Sequence, residues 1–144
     1  MALVRNFLLF LHVAGAVLLL GPTTMATSRF ARHATRGELA EASGARRTSR
    51  AYGTASVVVP ALGITLAARN QSFDQAWVQL AIGLFVAGAV VLAAVHLPAQ
   101  RVALDRLESG EPVAEAVVGR LRASAGLYAL SWVAIVWLMV AKPS

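Results

Sequence analysis

The most informative stretch of the sequence is LAIGLFVAGAVVLAAV, which runs from Leu80 to Val95 and contains no residue more polar than glycine. A helix made of these residues has no side suited to water, so it predicts a helix immersed in lipid. Composition agrees, because 58% of the 144 residues are hydrophobic and only 14% are charged, against about 25% charged residues in soluble domains. We therefore expect an integral membrane protein and not a soluble helical bundle.

Four stretches are long and apolar enough to span a bilayer, namely residues 6–26, 52–68, 76–97 and 121–140. Lipid cannot satisfy exposed backbone groups, and these stretches are too long for barrel strands. The prediction is an all-α, four-helix transmembrane bundle forming a single domain over residues 1–144. The first stretch could instead be a cleaved signal peptide. One basic residue precedes it and an arginine-rich stretch follows it, which favours its retention as a span.

The distribution of arginine predicts the orientation in the membrane. Ten arginines lie in or beside the loops 27–51 and 98–120, whereas the other side carries only Arg5, Arg69 and Lys142. Positive residues remain in the cytoplasm, so both loops are predicted to be cytoplasmic, with an N-out/C-out topology in a bacterial inner (plasma) membrane. These arginines favour contact with anionic lipids. Because they lie between apolar blocks and form no separate basic face, no nucleic-acid partner is expected.

Several local features predict how the helices end and pack. Residues 28–39 are rich in helix formers, so the first helix should continue past the bilayer until Gly44 breaks it. Pro112 fits the first turn of the helix that leads into the fourth span. The glycines expected to permit close contact between helices are Gly15, Gly83 and Gly88.

The spans contain little that could carry chemistry. No Asp, Glu or Lys lies within them, which argues against a coupled transporter. The absence of cysteine excludes disulfides, iron–sulfur clusters and thiolate metal sites. The leading hypothesis is an accessory or assembly subunit without catalytic activity, present as a homo-oligomer or as part of a membrane complex.

His12 is the exception, because it should lie roughly 10–15 Å below the outer boundary of the first span. Two readings are open: a neutral imidazole hydrogen-bonded to a neighbouring helix, or an axial ligand to haem b iron in a membrane redox protein. For the second reading, Gly15 and Ala16 leave space beside the ring. Arg5, seven residues earlier on the same face, would bind the propionates.

Depth along the bilayer predicts the neighbours of His12. The residues 60–63 of the second span and Ser131 of the fourth should share its layer. Tyr128 and Ser131 are candidate partners for the imidazole or for haem, and either could instead bond the backbone of its own helix. His96 should lie roughly 15 Å away in height, at a helix end before Pro98, which argues against an iron site built from both histidines.

The segment FLHVAGAV at 10–17, the basic loop after it, the four spans and the ending WLMVAKP at 137–143 resemble a bacterial family of predicted integral membrane proteins of unknown function. The layout is similar, more distantly, to HemJ-type protoporphyrinogen oxidases, which are four-span haem-binding proteins with a histidine in the first span and a Lys-Pro near the C-terminus. That similarity implies that His12 is an axial ligand. The family's functional lysine in a Trp-x-x-x-Lys-Leu setting has no counterpart here, since the nearest match is Trp77-Val78-Gln79-Leu80, with Gln79 where a lysine would be expected.

Overall fold

The computed structural model describes residues 2–142, which form four long helices joined by short connections; Pro143 of the C-terminal motif lies outside them. The helices are α1 (Leu3–Thr35), α2 (Leu39–Arg69), α3 (Ala76–Glu108) and α4 (Glu115–Ala141). Each is long and apolar enough to cross a membrane. The all-α, four-span architecture is confirmed, and the N-out/C-out orientation stays a prediction.

The helices extend well past the bilayer at one end. α1 has 33 residues, which corresponds to about 50 Å of helix against a hydrocarbon core of about 30 Å. Most of residues 27–51 and 98–120 are accordingly helical. We call the end that holds the connections 36–38 and 109–114 the base, and the end that holds the connection 70–75 the open end.

The chain reverses at Gly37 and not at Gly44, so that prediction was wrong. Gly37 has φ of +72°, and the amide of Glu38 donates to the carbonyl of His33 at 3.0 Å, an arrangement that commonly ends helices. Gly44 lies inside α2, because a glycine costs a helix only about 1 kcal/mol. Pro112 was also misplaced, since α4 begins three residues later at Glu115.

All four helices pack together at the base. The buried cluster there combines side chains from every helix, with Phe30 of α1 and Leu121 of α4 completely buried. Its other members are small or aliphatic: Ala31, Ala34, Ala42, Ala99, Ala103 and Leu104. Alanine allows helix backbones to approach closely, so this end is a tightly packed anchor for the bundle.

Towards the open end the bundle separates into two pairs. α1 packs along α2, and α3 packs along α4, whereas the two pairs touch little in this half. In the most apolar 18-residue stretch of α1 only 11% of the residues are buried, against 22% in each other helix. A cleft therefore opens between α1 and α4.

Two turns in the helices are widened into π-helix, at Ala16–Leu20 in α1 and Val91–His96 in α3. Each is followed by a proline, Pro22 or Pro98. Proline has no N–H to donate to the preceding turn, and a local π-turn is one way to rearrange the freed backbone groups. Both helices consequently continue through their prolines, and His96 lies inside α3 and not at a helix end.

Close contacts at glycine agree only partly with the sequence prediction. A β-carbon on Gly88 would lie 3.4 Å from Ser131, and one on Gly15 would lie 3.5 Å from Val59, whereas Gly83 faces open space. The closest approaches occur at two glycines that the prediction missed. A β-carbon on Gly53 would lie 2.8 Å from Leu92, and one on Gly63 would lie 2.9 Å from His12.

Candidate functional site

His12 is buried against α2 and bonded to its backbone. The side chain is 6% exposed, and Nδ1 lies 2.8 Å from the carbonyl oxygen of Val59. A carbonyl only accepts hydrogen bonds, so Nδ1 carries the proton and Nε2 carries a lone pair. Nε2 has no hydrogen-bond partner among residues 2–142. The imidazole is thus fixed in one orientation with one nitrogen free.

The sequence of α2 explains why the ring fits there. Pro60 lacks an N–H, and the amide of Val59 donates to the carbonyl of Ser56 at 3.0 Å across an irregular turn. One turn further on, Gly63 presents no side chain, and the imidazole lies directly against its backbone. The depth argument had placed residues 60–63 in the layer of His12, and the contact with Gly63 confirms it.

His12 lines an elongated, mainly apolar cleft between α1 and α4, with a volume of about 910 Å³. At the level of His12 its walls include Val59 and Trp132, and its base end reaches Arg29 and Arg32. The remaining lining residues are Val13, Ala16, Val17, Leu20, Gly21, Thr24, Met25, Ser28, Ile135, Val136, Met139 and Val140. Ligand sites in proteins typically have volumes of about 300–1,000 Å³ and mostly apolar walls.

The geometry at His12 suits an axial ligand to haem iron. Histidines that bind metals usually donate their other ring N–H to a carboxylate or a backbone carbonyl, which fixes the tautomer. The bond from Nδ1 to Val59 is of this kind, and the cleft that His12 lines has mostly apolar walls. His12 would supply the iron ligand. No group of three or more acidic or histidine side chains able to hold a bare metal ion occurs within residues 2–142.

The family model described as "Predicted integral membrane protein (DUF2269)" matches residues 6–143, which is nearly the whole chain. The chain belongs to this family. Searches of curated proteins and of solved structures give no significant match. The family description specifies membrane integration and no activity, so the site has to be interpreted from its own chemistry.

Of the residues predicted to form the site, His12 and Ala16 line the cleft. Arg5 is exposed near the open end, and Gly15 faces Val59 of α2. The hydroxyl of Ser131 donates to Leu127 of its own helix at 2.8 Å, so it is no partner of His12. The part played by these residues in binding a cofactor stays a prediction.

Two buried polar atoms near the cleft have no partner. Tyr128 is 2% exposed, and neither its hydroxyl nor the indole N–H of Trp132 makes a hydrogen bond to residues 2–142. The rings meet edge to face, with centroids 5.9 Å apart, and Trp132 meets Phe85 in the same way at 5.7 Å. Phe85, Tyr128 and Trp132 thus form an aromatic cluster that joins α3 to α4.

A second polar cluster surrounds His96, which is completely buried. Ser124 donates to the carbonyl of Arg120 at 2.7 Å, so His96 Nδ1–H donates to Ser124 Oγ at 2.7 Å. Gln100 Nε2 then donates to His96 Nε2 at 3.1 Å and lies 3.4 Å from Ser49 Oγ. This cluster ties together α2, α3 and α4. Sequence reasoning missed it because helix depth alone does not reveal which helices face one another.

Most arginines of residues 27–51 form no ion pair with a carboxylate in the part of the chain that the structure describes. Within residues 2–142 the ion pairs are His33–Glu38, Arg36–Glu38 and Arg106–Glu111, and none joins residues 27–51 to residues 98–120. Arg46 donates to the carbonyl of Leu97 at 2.6 Å. Burial, and then the nearby Arg50 and Arg101, lower the pKa of Arg46, while Asp105 acts in the opposite direction. The base thus presents an excess of positive charge to anionic partners.

Proposed function

We propose that this membrane protein is an accessory or assembly subunit of a complex in a bacterial inner membrane, with no reaction of its own. The supporting observation is the half of α1 towards the open end, which packs mainly against α2 and otherwise faces outwards. A helix with so few contacts in its own bundle has a large surface available for a partner within the membrane.

The outward surface of α1 has a regular pattern. Leu3, Phe7, Phe10 and Val17 are 83%, 58%, 65% and 67% exposed, and with Ala14 they follow alternating steps of four and three residues. That spacing places them on one stripe, opposite the His12 face that packs on α2. Side chains with this repeat interlock with a second helix at a shallow crossing angle. The surface therefore fits a transmembrane helix of a partner subunit.

Site-specific photo-crosslinking in native membranes tests this proposal. A crosslinker placed at Phe7 or Phe10 should give one adduct of defined mass with a membrane protein, and Phe7→Ala should weaken the adduct formed from Phe10. Leu130 and Val133 of α4 are matched controls, since they are 64% and 66% exposed but lie on another helix. Equal, diffuse labelling from both helices, or recovery of the protein only as a free monomer, contradicts the proposal. An adduct of twice the chain mass identifies a second copy as the partner.

A second candidate function, binding of haem b in a membrane redox protein, is supported by the fixed orientation of His12. Its Nδ1–H is bonded to Val59, its Nε2 makes no hydrogen bond within residues 2–142, and the residue lines the cleft; a haem ligand needs such an unpaired ring nitrogen. The two candidates use largely different side chains of α1, and they meet only at Val17, which belongs to the stripe and also lines the cleft of His12.

An absorption spectrum of protein purified from haem-replete cells tests the second candidate. A Soret band should be present and should be lost in His12→Ala. His33→Ala is the control, because His33 lies in the base, paired with Glu38 at 2.6 Å. Absence of a Soret band from the unaltered protein, or a band that survives His12→Ala, refutes haem binding at this site.

A further inference from the structure

The base half of the cleft combines an apolar channel with a basic end. From Ala16 to Met25 the wall formed by α1 is made of small and apolar residues interrupted only by Thr24, and Arg29 and Arg32 follow at its end. Both arginines are exposed, and neither forms an ion pair with a carboxylate within residues 2–142. Two guanidinium groups without ion pairs at the end of an apolar cleft are suited to a lipid with an anionic headgroup.

The length of this half matches one leaflet of a membrane. Thirteen residues separate Ala16 from Arg29, which corresponds to about 20 Å of helix. Half of the hydrocarbon core is about 15 Å thick. A chain that starts near the middle of the bilayer at Ala16 therefore reaches the headgroup region where the arginines lie. His12 lies further towards the open end, so this half is separate from the candidate haem position.

The arginines are spaced for a phosphate group. Positions three residues apart on a helix are neighbours on one face, so Arg29 and Arg32 can address the same anion. The guanidinium group binds phosphate oxygens through two parallel hydrogen bonds. Basic pockets between transmembrane helices at the cytoplasmic side are a known form of lipid site. The positive charge at this end of the cleft therefore favours a lipid headgroup with net negative charge.

The backbone of α1 also leaves space along this half of the cleft. The π-helical turn Ala16–Leu20 lies in this half, and such turns are frequent at functional sites. A β-carbon on Gly21 would meet nothing within 4 Å, so the channel is open at that point. The irregular turn and the glycine both line this half of the cleft on α1.

We propose that one anionic glycerophospholipid of the base-side leaflet occupies this half of the cleft. One acyl chain lies along the face of α1 from Ala16 to Ser28 and meets α4 only near Trp132, and the phosphate binds Arg29 and Arg32. The inference does not depend on either candidate function, since it does not use His12 and shares only Val17 with the stripe on α1.

Native mass spectrometry of the detergent-solubilised full chain, titrated with phosphatidylglycerol, tests this site. We expect one tightly retained lipid and, in Arg29→Gln/Arg32→Gln, an affinity at least about tenfold lower. The matched control is Arg47→Gln/Arg50→Gln, which removes the same charge from the same loop at residues lining a separate pocket. An equal loss in both double variants overturns the proposal in favour of general electrostatic attraction.

Two further experiments distinguish the contribution of the lipid's acyl chain from that of its headgroup. Gly21→Leu should reduce retention while leaving both arginines in place, because its side chain projects into the channel; the thermal transition of each variant verifies folding. Phosphatidylcholine of equal chain length should bind at least about tenfold more weakly than phosphatidylglycerol. Displacement of the lipid by inorganic phosphate at similar concentration, or full retention in Gly21→Leu, contradicts a site for an acyl chain.

Discussion

The imidazole of His12 lies so close to Gly63 that a β-carbon on Gly63 would be 2.9 Å from His12 Cε1 and 3.4 Å from Nδ1. The same edge of the ring is held on α2 by the bond from Nδ1 to Val59, so the ring cannot move away from Gly63 without losing that bond. The fixed orientation of His12 therefore depends on a glycine of α2 as much as on the histidine itself.

Gly63→Ala should lower the free energy of unfolding by about 1–3 kcal/mol, because the added methyl group overpacks the contact with a fixed ring. Gly83→Ala is the control, since a β-carbon there meets nothing within 4 Å, and it should be neutral or slightly stabilising. Unfolding by SDS titration in mixed micelles measures both. Equal stability of the two variants would show that the His12 ring moves freely.

Ser124→Ala should cost about 1–3 kcal/mol, because it leaves the buried Nδ1–H of His96 without an acceptor. Ser131→Ala is closely matched, since each serine on α4 bonds the carbonyl four residues before it, Arg120 or Leu127. Ser131 has no further side-chain partner in residues 2–142, so its replacement should change stability by less than about 0.5 kcal/mol. The same detergent titration compares them, and a larger loss in Ser131→Ala would contradict the hydrogen-bond assignment.

Gly37→Ala and Gly44→Ala should act in opposite directions. Gly37 has φ of +72°, a conformation that costs other residues roughly 1–2 kcal/mol, so Gly37→Ala should destabilise the turn. Gly44 lies inside α2 with open space at its β-position, and alanine there should stabilise the helix by about 0.5–1 kcal/mol. Melting temperatures followed by circular dichroism distinguish the signs. A gain at Gly37 would place the reversal of the chain elsewhere.

Phe30→Ala should destabilise the isolated protein by about 3–5 kcal/mol, because Phe30 is completely buried at the base and its removal leaves a cavity. Phe10→Ala changes the same side chain on the same helix, but Phe10 is 65% exposed, so the loss should be less than about 0.5 kcal/mol. A comparable loss at both positions would mean that the open half of α1 is packed in detergent, for example in a dimer.

The sequence was sufficient to predict the membrane class, the four helices and the unusual placement of His12. These follow from one-dimensional properties: long apolar runs, and depth counted at about 1.5 Å per residue. Depth also predicted that residues 60–63 lie beside His12, and Gly63 does. The predictions at Gly44 and Pro112 were wrong because glycine is tolerated within a helix, and proline before one, when packing favours it.

The tertiary structure alone decided which faces of the helices meet. It gave His12 a backbone carbonyl as its partner in place of Tyr128 or Ser131, buried His96 among Gln100, Ser124 and Ser49, and opened the cleft between α1 and α4. In a chain whose spans are apolar on every side, hydrophobic periodicity does not mark an inward face. The rotation of each helix is set by small residues and rare polar groups, whose partners lie in distant parts of the chain.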